Sequence, residues 1–119
     1  MILGTLHLDG KPQAKQRART TKTRGTYTPE ATVAYERLIA LSWRGPRKFG
    51  GPVKLTIAVI EGVTRHPADL DNFIKIVLDG LQGPNGAFLN DRQVIAIDAK
   101  IHRRDPRPGL DVIVEGWEP

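Results

Sequence analysis

Acidic side chains dominate the residues of this sequence that could carry out chemistry. Asp69 and Asp71 stand two positions apart in the segment PADLDN, and Lys75 follows one helical turn later. On a regular helix, where each residue advances by ~100°, the two carboxylates would point about 160° apart. They can converge only if Asp69 precedes the first helical turn in extended backbone, an entry that Pro67 favours.

The pair of aspartates also has an ordinary structural explanation. Acidic side chains near a helix N-terminus interact favourably with the helix dipole. Asp71 and Lys75 have the i, i+4 spacing of a common ion pair on a helix surface. Taken alone, the pair therefore favours a structural role.

A third carboxylate, Asp91, changes this balance. It lies in the segment FLNDRQV just before an expected strand, and a strand end can meet a helix N-terminus in a packed sandwich. Three oxygen donors without a His or Cys pattern suit Mg²⁺ or Mn²⁺ rather than zinc. Such an ion could activate water against a phosphodiester, with Lys75 orienting the water or neutralising phosphate charge. On the residues alone, a nuclease and a plain nucleic-acid-binding module are equally supported.

The charge distribution points to a polyanionic partner. The chain carries 18 Lys and Arg against 13 Asp and Glu, a net charge of +5. Ten of the basic residues but only three of the acidic ones precede Gly51. We expect residues 11–25, which contain no acid, to form a loop that is partly mobile and orders on DNA by contacting phosphates. Its basic residues are Lys11, Lys15, Arg17, Arg19, Lys22 and Arg24.

Length and composition bound the remaining possibilities. The 119 residues fit one domain, and 39% hydrophobic with 26% charged residues is typical of a folded globular chain. No apolar run approaches the ~20 residues that span a bilayer, and the first residues do not read as a secretory signal. The sequence has no cysteine, which excludes disulfides and zinc-thiolate sites. We therefore expect a cytoplasmic protein with no membrane partner and no small-molecule cofactor.

Hydrophobic periodicity predicts four strands and two helices. The strands are expected at residues 1–8, 53–60, 93–103 and 110–117, with the last as the hairpin partner of the third. The helices are expected from Thr28 as N-cap and Pro29 as first residue to about residue 43, and over 70–81. The order strand-helix-strand-helix-strand-strand predicts an α+β two-layer sandwich. In it, one mixed sheet of about four strands carries two helices on one face.

Several motifs in this order resemble those of the RusA-type Holliday junction resolvases. The resemblance covers residues 11–100, and its most specific part is the string from Asp69 to Lys75 followed by the later Asp-x-Gln-Val. The matching residues are Lys11, Arg17, Arg19, Tyr27-Thr28-Pro29, Tyr35-Glu36, Asp69-Leu70-Asp71-Asn72, Lys75, Asp79-Gly80-Leu81, Asn90-Asp91 and Gln93-Val94.

The resemblance implies a homodimeric, Mg²⁺-dependent endonuclease that nicks four-way DNA junctions symmetrically. It implies that Asp69, Asp71 and Asp91 bind metal and catalyse, and that Lys75 is an essential helper. One departure is Asn90, where the family commonly has a second aspartate beside Asp91, so weaker metal binding is expected if that aspartate matters. Two other functions fit the residues: a non-catalytic nucleic-acid-binding module, and an enzyme acting on another phosphorylated substrate.

Overall fold

The computed structural model describes residues 1–16, 19–21, 25–27 and 29–117, with the side chains of 19–21, 26 and 27 left undescribed. Two helices and six strands lie in these ranges. The elements are β1 (Ile2–Asp9), β2 (Arg19–Thr21), β3 (Gly25–Tyr27), α1 (Glu30–Ser42), β4 (Val53–Ile60), α2 (Leu70–Leu81), β5 (Val94–His102) and β6 (Gly109–Gly116), with a single 3₁₀ turn (Asp91–Gln93) before β5.

Four of the strands form one mixed sheet in the order β1-β6-β4-β5. The β4-α2-β5 segment is a crossover that makes β4 and β5 parallel, while β6 runs antiparallel to both β1 and β4. This confirms the predicted α+β sandwich and its element order. The predicted hairpin of the last two strands is wrong, because β6 leaves β5 at the sheet edge and inserts between β1 and β4.

The burial of the last two strands explains this topology. Leu110, Val112 and Val114 of β6 are almost fully buried, which suits a strand with neighbours on both sides. Ile95 and Ile97 of β5 remain 53% and 39% exposed, as an edge position allows. The alternation of apolar and polar residues along a strand does not show whether that strand lies in the middle or at the edge of a sheet.

The core lies between one sheet face and the two helices. Val53, Leu55, Ile57 and Val59 of β4 are buried and alternate with half-buried residues, so a single face of this central strand is fully covered. Phe73, Val77 and Leu81 belong to the apolar stripe that the sequence predicts for α2, and all three side chains are buried; Ile76 is buried beside them. This packing fixes the direction of α2 and therefore where both of its ends lie.

Residues 11–25 are not the simple loop that the sequence suggested. β2 and β3 pair as an antiparallel hairpin. The preceding residues are also held to the body of the protein, since Pro12 is buried and Ala14 packs against the core. The lack of hydrophobic periodicity predicted a loop without core contacts. That prediction is wrong because two single residues, Pro12 and Ala14, anchor the segment.

The first helix begins one residue later than expected. Pro29 is its N-cap and Glu30 its first helical residue. The expected cap residue, Thr28, lies outside the described residues. In the part of the chain that the structure covers, neither helix has the length and apolarity to cross a membrane.

Candidate nuclease site

Asp69 and Asp71 mark the start of α2. Asp69 is the N-cap, with extended backbone at φ −76° and ψ 147°, and Asp71 lies in the first turn. This is the extended conformation that Asp69 needs if its carboxylate is to approach that of Asp71, and it is present. Both residues are exposed, and within the described ranges neither carboxylate makes an ion pair or accepts a side-chain hydrogen bond. They are free to bind a cation or to repel a phosphate.

A buried glutamate holds the backbone that leads into Asp69. Glu61, directly after β4, is 4% exposed. Its Oε2 accepts a hydrogen bond from the Ala68 N–H at 3.2 Å, and its Oε1 accepts one from Arg103 Nη1 at 2.7 Å. Arg103 Nη2 donates in turn to the Ala68 carbonyl at 3.1 Å. The N–H and the carbonyl of Ala68, the residue before Asp69, are therefore both fixed by one ion pair.

Sequence reasoning missed this ion pair. Its partners are 42 residues apart, and they meet only because β4 and β5 are parallel neighbours that end side by side. The sequence carries one indication of it: Glu61 directly follows a strongly apolar strand. An acidic side chain buried there needs a basic partner, because an unpaired buried carboxylate is costly.

Asp91 is held in a tightly braced turn at the start of β5. Asn90 Oδ1 accepts from the Arg92 N–H, and Gln93 Oε1 accepts from the Asn90 N–H, both at 2.9 Å. Gln93 Nε2 also donates to the carbonyls of Phe49 and Gly51 at 2.7 and 2.8 Å. Asn90 therefore serves as the cap of the turn that presents Asp91, which gives this position a structural role.

The backbone of Asp91 is attached to the far end of α2. Its N–H donates to Gln82 Oε1 at 3.1 Å, and Gln82 is the residue that ends the helix. Asp69 and Asp71 lie at the opposite end. Among the described residues, no group of three or more His, Cys, Asp or Glu side chains is placed to hold a metal ion. The oxygen-only donors fit Mg²⁺ chemically, but the described part of the chain does not bring all three carboxylates together.

Lys75 lies on α2 between these two ends. It is exposed, and it makes no ion pair within the described part of the chain. Asp79, four residues further along α2, has the spacing of an ion pair with Lys75, but it pairs instead with Lys15, whose Nζ lies 2.9 Å from Asp79 Oδ2. Lys75 therefore keeps its ammonium group available to a phosphate.

Lys15 is more enclosed than a residue reserved for DNA contact would be. Its Nζ also contacts Glu36 Oε1 at 2.5 Å, and its side chain is 26% exposed. Burial lowers the pKa of Lys15, but hydrogen bonds to Glu36 and Asp79 outweigh it and leave the pKa above its ordinary value. The same segment is tied to α2 by the Lys15 N–H on the Asn72 carbonyl at 2.9 Å. Lys15 thus fastens the segment to both helices.

The other predicted phosphate contacts are spread along the same segment. Lys11 is exposed. Arg19 lies on β2, and Arg17, Lys22 and Arg24 lie outside the described residues. The roles of all these residues in binding DNA remain predictions.

A cleft of about 360 Å³ lies between residues 11–16 and the start of α2. Its lining combines cationic, imidazole and amide groups from the segment, from the loop after β4 and from α2. The polar members include Lys11, Gln13, Lys15, His66 and Asn72. Asn72 adjoins Asp71, so the cleft opens beside the acidic end of the helix.

Comparison with known proteins now identifies the class. The model of the family described as Endodeoxyribonuclease RusA matches residues 9–115, nearly the whole chain. The chain belongs to the RusA endodeoxyribonuclease family, which resolves Holliday junctions. It is therefore a hydrolase of DNA phosphodiester bonds, and the non-catalytic binding module is set aside. No individual curated protein matches the sequence.

Proposed function

We propose that this chain resolves four-way DNA junctions as a homodimer, by paired symmetric nicks that depend on Mg²⁺, with Mn²⁺ as a substitute. The family match over residues 9–115 is the observation that carries the proposal, since that range includes Asp69, Asp71, Lys75 and Asp91. The proposed setting is recombination and repair, in a phage or prophage context.

The donor chemistry of the acidic residues supports a hard divalent cation. Asp69, Asp71 and Asp91 offer only carboxylate oxygens, and all three residues are exposed. When bound, such a cation supplies an activated water and stabilises the leaving oxygen of the phosphodiester. The chain itself supplies rigidity, because the pair of Glu61 and Arg103 fixes the peptide before Asp69.

The basic residues supply attraction to the DNA backbone. Lys75 stands on α2, the helix that Asp69 caps and that carries Asp71, and its ammonium group, which makes no ion pair among the described residues, can neutralise charge on the phosphate that is cut. Lys11 lines the adjoining cleft. Contacts of this kind position a duplex arm without reading its bases, so selectivity for a junction would come from shape.

A twofold dimer matches the geometry of the substrate. A four-way junction has near-twofold symmetry, and resolution requires a cut in two opposed strands. Two copies of one site related by a twofold axis would meet both strands at once.

The direct test uses a synthetic four-way junction with each strand labelled in turn, beside a linear duplex of the same arm sequence. The proposal expects Mg²⁺-dependent nicks at symmetric positions in two opposed strands, products that ligase can seal, and far slower cleavage of the duplex. Equal cleavage of both substrates would refute junction selectivity. Unpaired nicks at unrelated positions would refute symmetric resolution.

A further inference from the structure

The loops that follow β4 and β5 concentrate positive charge at one end of the sheet. Residues 62–67 and 103–108 together contain four arginines but only one acidic residue, Asp105. Three of the arginines are exposed and make no ion pair within the described part of the chain, and we call them the arginine surface. They are Arg65, Arg104 and Arg107. Their guanidinium groups are therefore available to an anion.

Hydrogen bonds hold the second of these loops in place. The Asp105 N–H donates to the Glu61 carbonyl at 3.1 Å, which ties the loop to the end of β4. Asp105 Oδ1 accepts from the Arg107 N–H at 2.8 Å, so the one acidic side chain of the loop is bound to backbone. A loop braced in this way presents its arginines with little ordering cost when a ligand binds.

Arg104 adopts a backbone conformation that arginine rarely takes. Its φ is 58°, in the left-handed region that is unfavourable for a residue with a Cβ atom. Glycine would make the same turn at a lower cost in free energy. An arginine held in this conformation by a braced loop indicates that its side chain has a function.

The arginine surface and the cleft beside residues 11–16 lie on two sides of the loop that leads to Asp69. A smaller cleft, of about 120 Å³, is lined by Arg103 and Arg104. Thr64 lines both clefts, so the loop that carries it separates them. A DNA strand that reaches Asp69 therefore meets basic groups on both of its sides.

The shape of a four-way junction gives these two sides different meanings. Each strand of a junction passes from one arm to the next at the branch point. A cut close to that point has the phosphates of one arm on one side and those of the neighbouring arm on the other. In a linear duplex, the phosphates on both sides of a cut belong to one straight helix.

We propose that the arginine surface is a second phosphate-binding surface, which holds the junction arm on the far side of the cut from the arm held by residues 11–25. This inference rests on the proposed function and assigns a second arm to loops outside that segment. Contacts with phosphates position DNA without reading its bases. A straight duplex that lies along residues 11–25 passes beside the arginine surface, so the second contact favours the branched substrate.

Binding measurements in chelator test the inference without requiring cleavage. The Arg104→Ala, Arg107→Ala double variant is titrated with a synthetic four-way junction and with a linear duplex of the same arm sequence, across a salt series. Each neutralised phosphate contributes about −0.9 to the slope of log affinity against log salt, so the slope for the junction should flatten by up to about 2 per protomer. Junction affinity should fall by about 10-fold or more near physiological salt, and duplex affinity by less than about twofold.

Three further variants separate the charge of the arginines from the structure of their loop. Arg104→Lys with Arg107→Lys keeps both charges and should keep the salt slope. Arg104→Gly removes one charge but relieves the unfavourable φ, so it should weaken junction binding without lowering the midpoint of a urea titration. Arg37→Ala with Arg44→Ala removes two charges from exposed positions on and just after α1 and should leave junction affinity unchanged.

The possible results distinguish this inference from the proposed nuclease function. Equal losses of junction and duplex affinity in the double alanine variant would overturn the assignment to a second arm. Unchanged junction affinity and slope in that variant, with cutting by the wild type, would refute this inference alone. A lowered urea midpoint in Arg104→Gly would give Arg104 a structural role and overturn its contact with phosphate. The expected losses in a protein whose wild type binds junctions but does not cut them would support the second surface and refute the nuclease.

Discussion

Arg103 donates from Nη1 to Oε1 of Glu61 at 2.7 Å, and Glu61 is only 4% exposed. The same pair of side chains binds the N–H and the carbonyl of Ala68. The ion pair thus sets the position of the residue that follows, Asp69.

Replacing the glutamate should loosen Asp69. We expect Glu61→Gln to lower kcat/KM for junction cleavage by about 10- to 100-fold, because small displacements of a positioned group are costly. The Mg²⁺ concentration for half-maximal cleavage should rise as well, which a purely structural defect would not produce. The unfolding free energy should fall by about 1–3 kcal/mol. Glu115→Gln, on β6, is the control, and an equal response of both variants would contradict the positioning role.

Close packing of the two helices depends on Gly80. A Cβ atom at this position would lie 2.8 Å from Ile39 Cβ and 3.1 Å from the Glu36 carbonyl oxygen. We expect Gly80→Ala to lower the unfolding free energy by about 1–3 kcal/mol because the helices must separate. Gly50→Ala, where the added atom meets nothing within 4 Å, should change it far less in a urea titration.

His7 should titrate above its ordinary pKa. Its Nδ1 lies 2.5 Å from Asp111 Oδ1 and its Nε2 lies 2.8 Å from Asp9 Oδ1. The hydrogen bond to Asp111, followed by that to Asp9, raises the pKa of His7 above 6.5. The stabilisation is therefore complete below about pH 6.5 and is lost as the pH rises through the raised pKa. In an NMR titration, Asp111→Asn should lower this pKa more than Asp9→Asn, and the reverse order would contradict the assignment.

The salt dependence of DNA affinity should come from the basic residues of segment 11–25. Each neutralised phosphate contributes about −0.9 to the slope of log affinity against log salt. We expect the Arg17→Ala, Arg19→Ala double variant to flatten that slope by up to about 2 per protomer and to weaken junction and duplex binding together. Arg37→Ala with Arg44→Ala removes the same charge from exposed positions on and just after α1 and should leave the slope unchanged. An unchanged slope together with unchanged affinity in the first variant would mean that residues 11–25 are not the DNA-binding element, and the interface would then be sought at Arg103, Arg104 and Arg107.

The sequence predicts those parts of the fold that depend on local pattern. The apolar stripe of α2 and the β-branched run of β4 each mark their own element, and both elements have the expected limits. β6 pairs with β1 and β4 because it is the strand that completes the core. The residues next to it in the sequence do not specify which strands it pairs with. Pro12 and Ala14 likewise anchor their segment through contacts with distant elements.

The candidate site also has one part that local sequence predicts and another that depends on packing. The extended backbone of Asp69 follows from its place ahead of a helix, and reasoning along the chain predicts it. The contact of Lys15 with Asp79 and the contact of Glu61 with Arg103 join residues 64 and 42 positions apart. Such contacts depend on packing between elements, so the spacing of residue types does not reveal them.

Single-turnover cleavage of a four-way junction by aspartate variants tests the nuclease account most directly. We expect Asp71→Asn and Asp91→Asn each to abolish Mg²⁺-dependent cleavage. Gel shifts in chelator should show junction binding that is intact or tighter, because a repulsion toward phosphate is removed. Asp9→Asn, at a side chain that is 94% exposed on β1, should cut as the wild type does. Cleavage at the wild-type rate by both Asp71→Asn and Asp91→Asn would contradict the account.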